Sequence, residues 1–170
     1  RKHRHSRQYQ FDYCYGEEST QEQVFNDIGT TVLENAFAGY NASVFAYGQT
    51  GSGKTHTMIG SKEAEQDTDP HEGEGLIPRI SRELVEYVSK LKHEPSPVER
   101  KSMGGTSTMS VVKLEASYVE IYNENCCDLL RPTGTERENL KVREHPKTGA
   151  YVEGLTNVSV KSLEDIENIM

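Results

Sequence analysis

Val44-Phe45-Ala46-Tyr47-Gly48-Gln49-Thr50-Gly51-Ser52-Gly53-Lys54-Thr55 is the stretch on which the fold turns. A short apolar run, of the kind that forms a buried strand, feeds a loop with the spacing G-x-x-x-x-G-K-[ST] that opens a helix. Small residues let the backbone wrap an anion so that successive N–H groups point inward, and the helix N-terminus adds partial positive charge. In such a loop Lys54 sets its ammonium against the β- and γ-phosphates, and the Thr55 hydroxyl takes one position around Mg²⁺. The alternative is a chance glycine-rich turn, and the apolar strand directly before the loop argues against it.

Working outward, the 170 residues suit one domain of ordinary size. A net charge of -8 and a pI near 5.3 leave no basic excess to neutralise a nucleic-acid backbone. The local basic run Arg1–Arg7 reads as a solvated tail. Three cysteines, Cys14 and the adjacent Cys126 and Cys127, cannot build a disulfide framework and are expected to be free thiols in a reducing compartment. No second Cys or His stands at ligand spacing from the pair, so packing at a strand end is expected there rather than a metal site. No run has the length of a membrane span and no apolar signal segment opens the chain, which places it in the cytosol or on the cytoskeleton.

The chain reads as a series of short segments. After a basic tail (1–9), a strand–helix–strand unit ending in the phosphate loop occupies 10–60. Gln10–Tyr15 alternates as a half-buried strand, and Ser19-Thr20-Gln21-Glu22 reads as a capping box. Val24, Ile28 and Val32 then keep helical spacing until Gly39 stops the helix. An acidic loop (61–75) precedes a helix over 76–93, in which Pro78 suits the first turn and Ile80, Leu84, Tyr87, Val88 and Leu91 form the apolar face. A Ser, Gly and Pro-rich linker or hairpin tip (94–108) leads to strands over 109–161, one of them long through Val112–Tyr118, with a turn at His145–Gly149. Ser162 caps a last helix whose beginning occupies 162–170.

Phe11-Asp12-Tyr13 with Cys14, then Phe45 through Met58, then Gly75-Leu76-Ile77-Pro78-Arg79, then Tyr118-Val119-Glu120-Ile121-Tyr122-Asn123-Glu124, together resemble the kinesin motor domain in order and over nearly the whole chain. Leu140–Pro146 and Tyr151–Leu155 are similar to the kinesin-3 class in particular. The resemblance implies an α/β fold of the P-loop NTPase type, a central sheet flanked by helices, of which these residues hold the front half. It also implies an ATP-driven microtubule motor working with ATP and Mg²⁺ in the cytoplasm on the cytoskeleton. Gly48, Gln49, Thr50, Gly51, Ser52, Gly53, Lys54 and Thr55 then surround the phosphates, with Lys54 and Thr55 catalytic, Thr55 on the metal and His56 beside the adenine. The 61–75 loop corresponds to one near the nucleotide pocket. Lys141, Arg143 and Lys147 fall in a lobe that touches tubulin, although with Glu144 among them a merely solvated hairpin stays open.

Kinesins also carry an earlier strand whose Arg and Pro hold the adenine, and later an N-x-x-S-S-R-S-H switch and a D-x-x-G-type switch. None occurs in these 170 residues. Hydrolysis needs a positioned water and a second hold on Mg²⁺, so these residues alone are expected to bind nucleotide weakly. In the family Ala42–Tyr47 lies mid-sheet between strands from the later half. Here both its edges should be open, and the 170 residues alone are expected to be insoluble or molten. The alternative reading is a truncated or degenerate kinesin that binds microtubules or scaffolds without turnover. An unrelated phosphate-loop kinase or small GTPase would not supply Tyr118–Glu124 or Gly75–Arg79. No heptad run marks a dimer interface, so dimerisation is left to other regions, as are cargo and direction.

Overall fold

The computed structural model describes residues 8–61, 71–93, 112–132 and 139–169. The basic tail, most of the acidic loop and the 94–108 linker, all read from sequence, lie outside the described residues apart from their edges. Two compact units divide the chain at Ile80.

In the first unit, helix α1 (Gln21–Val24), a π-helical turn (Phe25–Gly29) and α2 (Thr30–Phe37) follow without interruption. The capping box forms one residue later than expected: Thr20 Oγ1 accepts from Gln23 N–H at 3.2 Å, and the Gln23 side chain accepts from Thr20 N–H at 3.0 Å. Ser19, the other candidate, accepts from Gly16 N–H and closes the preceding turn. The π turn brings Phe25 over Gly29, where a Cβ would lie 2.4 Å from the ring. The helix stops as expected at Gly39 (φ +85°), with Tyr40 N–H donating to Asn35 O and Gly39 N–H to Ala36 O, a Schellman arrangement.

Gln10–Tyr15 and Ala42–Tyr47 were expected as strands and carry no ladder pairing among the described residues. A strand is stable only when its N–H and C=O groups find a neighbour, and neither stretch finds one here. Instead Tyr13 and Tyr15 stack at 6.3 Å, and Tyr15 Oη donates to Asp27 Oδ2 at 3.0 Å. Burial, then that hydrogen bond to a carboxylate, push the Tyr15 phenol up to about 12. Phe45 is 86% exposed and Tyr47 97%.

Helix α3 (Lys54–Met58) follows the glycine-rich loop, and α4 (Leu76–His93) begins two residues before Pro78, leaving the proline in the first turn where no N–H is missed. The apolar and polar residues of α4 segregate to opposite faces, as its spacing predicted.

In the second unit three antiparallel pairs form: β1 (Leu114–Ala116) with β6 (Val158–Val160), β2 (Val119–Tyr122) with β3 (Asn125–Asp128), and β4 (Val142–His145) with β5 (Gly149–Val152). The long strand expected through Val112–Tyr118 is thus shorter, and a break at Ser117–Tyr118 sends the chain into a separate hairpin. That hairpin turns on Asn123 and Glu124, both left-handed (φ +48° and +64°), the two-residue geometry that matches strand twist. Asn139 and Leu140 add to the edge of β3: Leu140 N–H donates to Cys126 O, and Cys126 N–H to Asn139 Oδ1. Cys126 is buried with Leu140, Val160 and Ile166, while Cys127 is half-buried, so the pair packs in a strand as read from sequence. Among the described residues no cluster of metal-ligating side chains occurs, and no helix is long and apolar enough to cross a membrane. Helix α5 (Leu163–Glu167) starts from a Ser162–Asp165 capping box.

Candidate functional site

Backbone geometry shapes the glycine-rich loop. Gly51 (φ +79°) and Gly53 (φ +90°) hold left-handed conformations that cost other L-residues about 1–2 kcal/mol. A Cβ on either would meet nothing within 4 Å, so the loop presents open space on these sides. Gly48 has a different reason: a Cβ there would lie 2.4 Å from Ser52 Oγ, so the Ser52 side chain would have to turn aside. Closure is completed by Ser52 N–H donating to Gln49 O at 3.2 Å.

Lys54 opens α3 and folds back across the loop. Its Nζ donates to Gly48 O at 2.9 Å and to Gln49 O at 2.7 Å, so one of three ammonium donors is left for an anion. Thr55 is exposed, and among the described residues its hydroxyl has no hydrogen-bond partner. Gly48 to Lys54 thus supply a folded, cation-tipped loop, and Thr55 a free hydroxyl oxygen beside it. That donor set fits a polyphosphate and a hard divalent cation.

The surroundings hold the helix that follows this loop by two contacts that the sequence did not disclose. At the far end of α3, Gly60 (φ +95°) bridges Glu74, with Ser61 N–H donating to Gly73 O and Gly75 N–H to Ile59 O, both at 3.0 Å. A Cβ on Gly60 would lie 2.1 Å from Gly73 O, and one on Gly75 2.7 Å from Thr57 O. The neck of the acidic loop is therefore a direct backbone contact. Arg79 braces it by donating from Nε to Glu74 O at 2.8 Å and from Nη2 to His71 O and Glu72 O. The second contact joins Gln21, at the start of α1, to His56. Pairs 35 residues apart leave no periodic trace, whereas the G-x-x-x-x-G-K-T spacing is local.

Lys141, Arg143 and Lys147 lie in the second unit, on and beside the β4–β5 hairpin. The hairpin is exposed along β4. Its turn is held by His145 Nδ1, which accepts from Lys147 and Thr148 N–H, and Arg143 Nε pairs with Glu153 at 3.1 Å.

One further polar group stands out in that unit. The Asp128 side chain is 0% exposed and accepts from Leu130 N–H at 2.9 Å and Thr156 N–H at 2.8 Å, with Arg131 Nε at 3.9 Å. Burial by itself raises its pKa, but the hydrogen bonds from Thr156 and Leu130 and the Arg131 charge outweigh it and hold the carboxyl below its usual value. These bonds tie β3 to the segment entering β6, and the group serves the fold.

The whole chain, residues 1–170, matches the Kinesin motor domain family. Among its relatives, kinesin-like protein KIF13B of Homo sapiens is 43% identical over 168 residues, covering 94% of this chain and 8% of the relative. Kinesin-like protein KIF1A of Rattus norvegicus is 38% identical over 170 residues, covering 95% and 9%. Kinesin-related protein 1 of Dictyostelium discoideum is 38% identical over 169 residues, covering 95% and 7%. The chain therefore spans less than a tenth of the length of these relatives, and its similarity to KIF13 proteins agrees with the kinesin-3 resemblance. By this match over residues 1–170, the chain belongs to the kinesin motor domain family.

Proposed function

We propose that these residues are the nucleotide-holding part of an ATP-driven microtubule motor. The observation that carries the reading is Lys54 Nζ lying over the carbonyls of Gly48 and Gln49 at the mouth of a loop bent by left-handed Gly51 and Gly53. An incoming phosphate oxygen competes for that ammonium, while Gly48, Gln49, Thr50, Gly51, Ser52 and Gly53 line the phosphates with backbone. Thr55 holds Mg²⁺, which when bound neutralises charge on the phosphates, and His56 stands beside the adenine. Lys54 stabilises the transferring phosphoryl group, whose charge spreads in the transition state.

The fold we infer is a P-loop NTPase-type sheet flanked by helices, with Ala42–Tyr47 as an inner strand. Lys141 and Lys147 supply the basic contacts to tubulin's acidic surface, aided by steering. Arg143 contributes less, because Glu153 partly neutralises it. The protein acts in the cytoplasm on microtubules. A non-motile microtubule binder or scaffold is not favoured, since the match to the motor family runs through the intact loop.

Lys54→Ala in the full-length protein tests the reading. Microtubule-stimulated ATP turnover should fall by at least ~100-fold, the scale of losing one transition-state donor. Turnover within a factor of two of the unaltered protein would refute it.

A further inference from the structure

We infer that Gln21 is a positioning residue that sets His56 for the base of a bound purine nucleotide; this rests on the reading of His56 as the base-side neighbour of the phosphate loop. The Gln21 amide nitrogen lies 2.7 Å from His56 O and 3.1 Å from His56 Nδ1, with Nε2 at 3.5 Å. A backbone carbonyl can only accept, so the group facing it is the amide NH₂ and not its oxygen. One amide therefore holds both the backbone and the ring of a single residue.

The backbone geometry of α3 explains why His56 O is available. In a regular helix it would accept from Gly60 N–H. Gly60 is left-handed and its N–H turns to Thr55 O at 3.3 Å, where Ile59 N–H also donates at 2.8 Å. Such unmatched carbonyls at a helix end need another donor, and Gln21 is that donor for His56. On the other side, Gln21 is held in place by its own backbone: it directly follows Thr20, the N-cap of a complete capping box. The clamp thus runs from a fixed helix start to the second residue after Lys54. Donation to Nδ1 requires a ring lone pair there, which the Nε2–H tautomer supplies. A ring held in one orientation is suited to lie against a flat purine.

Binding of mant-ADP and of inorganic pyrophosphate to the full-length protein separates base from phosphate. Gln21→Met removes the donor and Gln21→Glu keeps the shape while its charge favours the helix start, so the second guards against loss of fold. We expect each to weaken mant-ADP about 3- to 10-fold, the scale of a lost hydrogen bond. Pyrophosphate affinity should stay within 2-fold, and adding either change to His56→Ala should cost nothing further. If mant-ADP and pyrophosphate weaken together, Gln21 merely supports the unit and the inference fails. If His56→Ala weakens mant-ADP and the Gln21 variants do not, the inference fails while His56 keeps its place at the base. If none of the changes moves mant-ADP, His56 is not at the base and both readings fall.

Discussion

Ala42–Tyr47 and Gly48–Thr55 adjoin in sequence and differ in how they are satisfied. The loop meets its needs within eight residues: Ser52 bonds Gln49, Lys54 bonds Gly48 and Gln49, and glycines occupy the two left-handed positions. The strand before it has no ladder partner among the described residues and shows Phe45 and Tyr47 almost wholly to solvent. A loop is specified by backbone torsions that neighbouring residues dictate. A strand is specified by its partners, which can come from anywhere in the chain.

The comparison breaks most severely if the loop's independence fails at its far end. Gly60→Ala places a Cβ 2.1 Å from Gly73 O in a torsion that already disfavours it. Overpacking against backbone of this kind costs about 3 kcal/mol. We expect a clear fall in the thermal midpoint with weaker mant-ADP binding, read together in one titration series. Unchanged stability would show that the loop does not depend on its contact with residues 73–75.

The second unit offers the intermediate case, a long-range contact made by one buried side chain. Asp128→Asn leaves Leu130 and Thr156 N–H facing a group that can accept only on one side. A loss of about 1–3 kcal/mol follows for an unsatisfied buried donor, measurable as faster amide exchange at Leu130 and Thr156. Because the folded carboxyl titrates below its unfolded value, its contribution is present above the unfolded pKa, about 3.9. It is lost as pH falls through the lower folded value. The aspartate protein should therefore lose protection at these two amides, relative to their intrinsic pH-dependent exchange rates, as pH falls through that value, and the asparagine variant should show no such step.

The same division between local and distant causes decides what could be read in advance. The bend of the glycine-rich loop, the Gly39 stop, the amphipathic α4 and the Ser162 cap were legible because each is written in a few neighbouring residues. The Thr20 cap was displaced by one position because Ser19 and Thr20 are equally good acceptors and only the Gly16 turn assigns the first. The break at Ser117–Tyr118 escaped because alternation continues across it while the pairing changes from β6 to β3. Gln21, Arg79 and Asp128 were invisible for a shared reason: each acts through backbone carbonyls or N–H groups, and any residue type could have supplied those. His56 was legible as a candidate, but the side chain that orients it was not.

A smaller effect is expected at the β2–β3 turn, where the local rule is met imperfectly. Glu124 holds φ +64°, a conformation glycine adopts without cost. Glu124→Gly relieves strain and adds freedom to the unfolded chain, so the net gain is about 0.5 kcal/mol. Slower exchange at Leu129, whose N–H donates to Tyr118 O at the open end of this hairpin, would report it. A loss of stability would mean that the Glu124 side chain supports the turn.

The smallest change is expected at Phe45, and it returns to the strand itself. At 86% exposure the ring buries little against the described residues, which by themselves would make Phe45→Ala cost less than about 0.5 kcal/mol. Truncating a phenylalanine packed in a core costs about 3–5 kcal/mol. The substitution in the full-length protein therefore measures whether sequence outside the described residues covers the strand. We expect the larger cost there, because an uncovered apolar strand beside a working phosphate loop would be an aggregation site. A cost below about 0.5 kcal/mol would place the strand at an open edge, and the inner-strand position proposed for Ala42–Tyr47 would be wrong even with the loop intact.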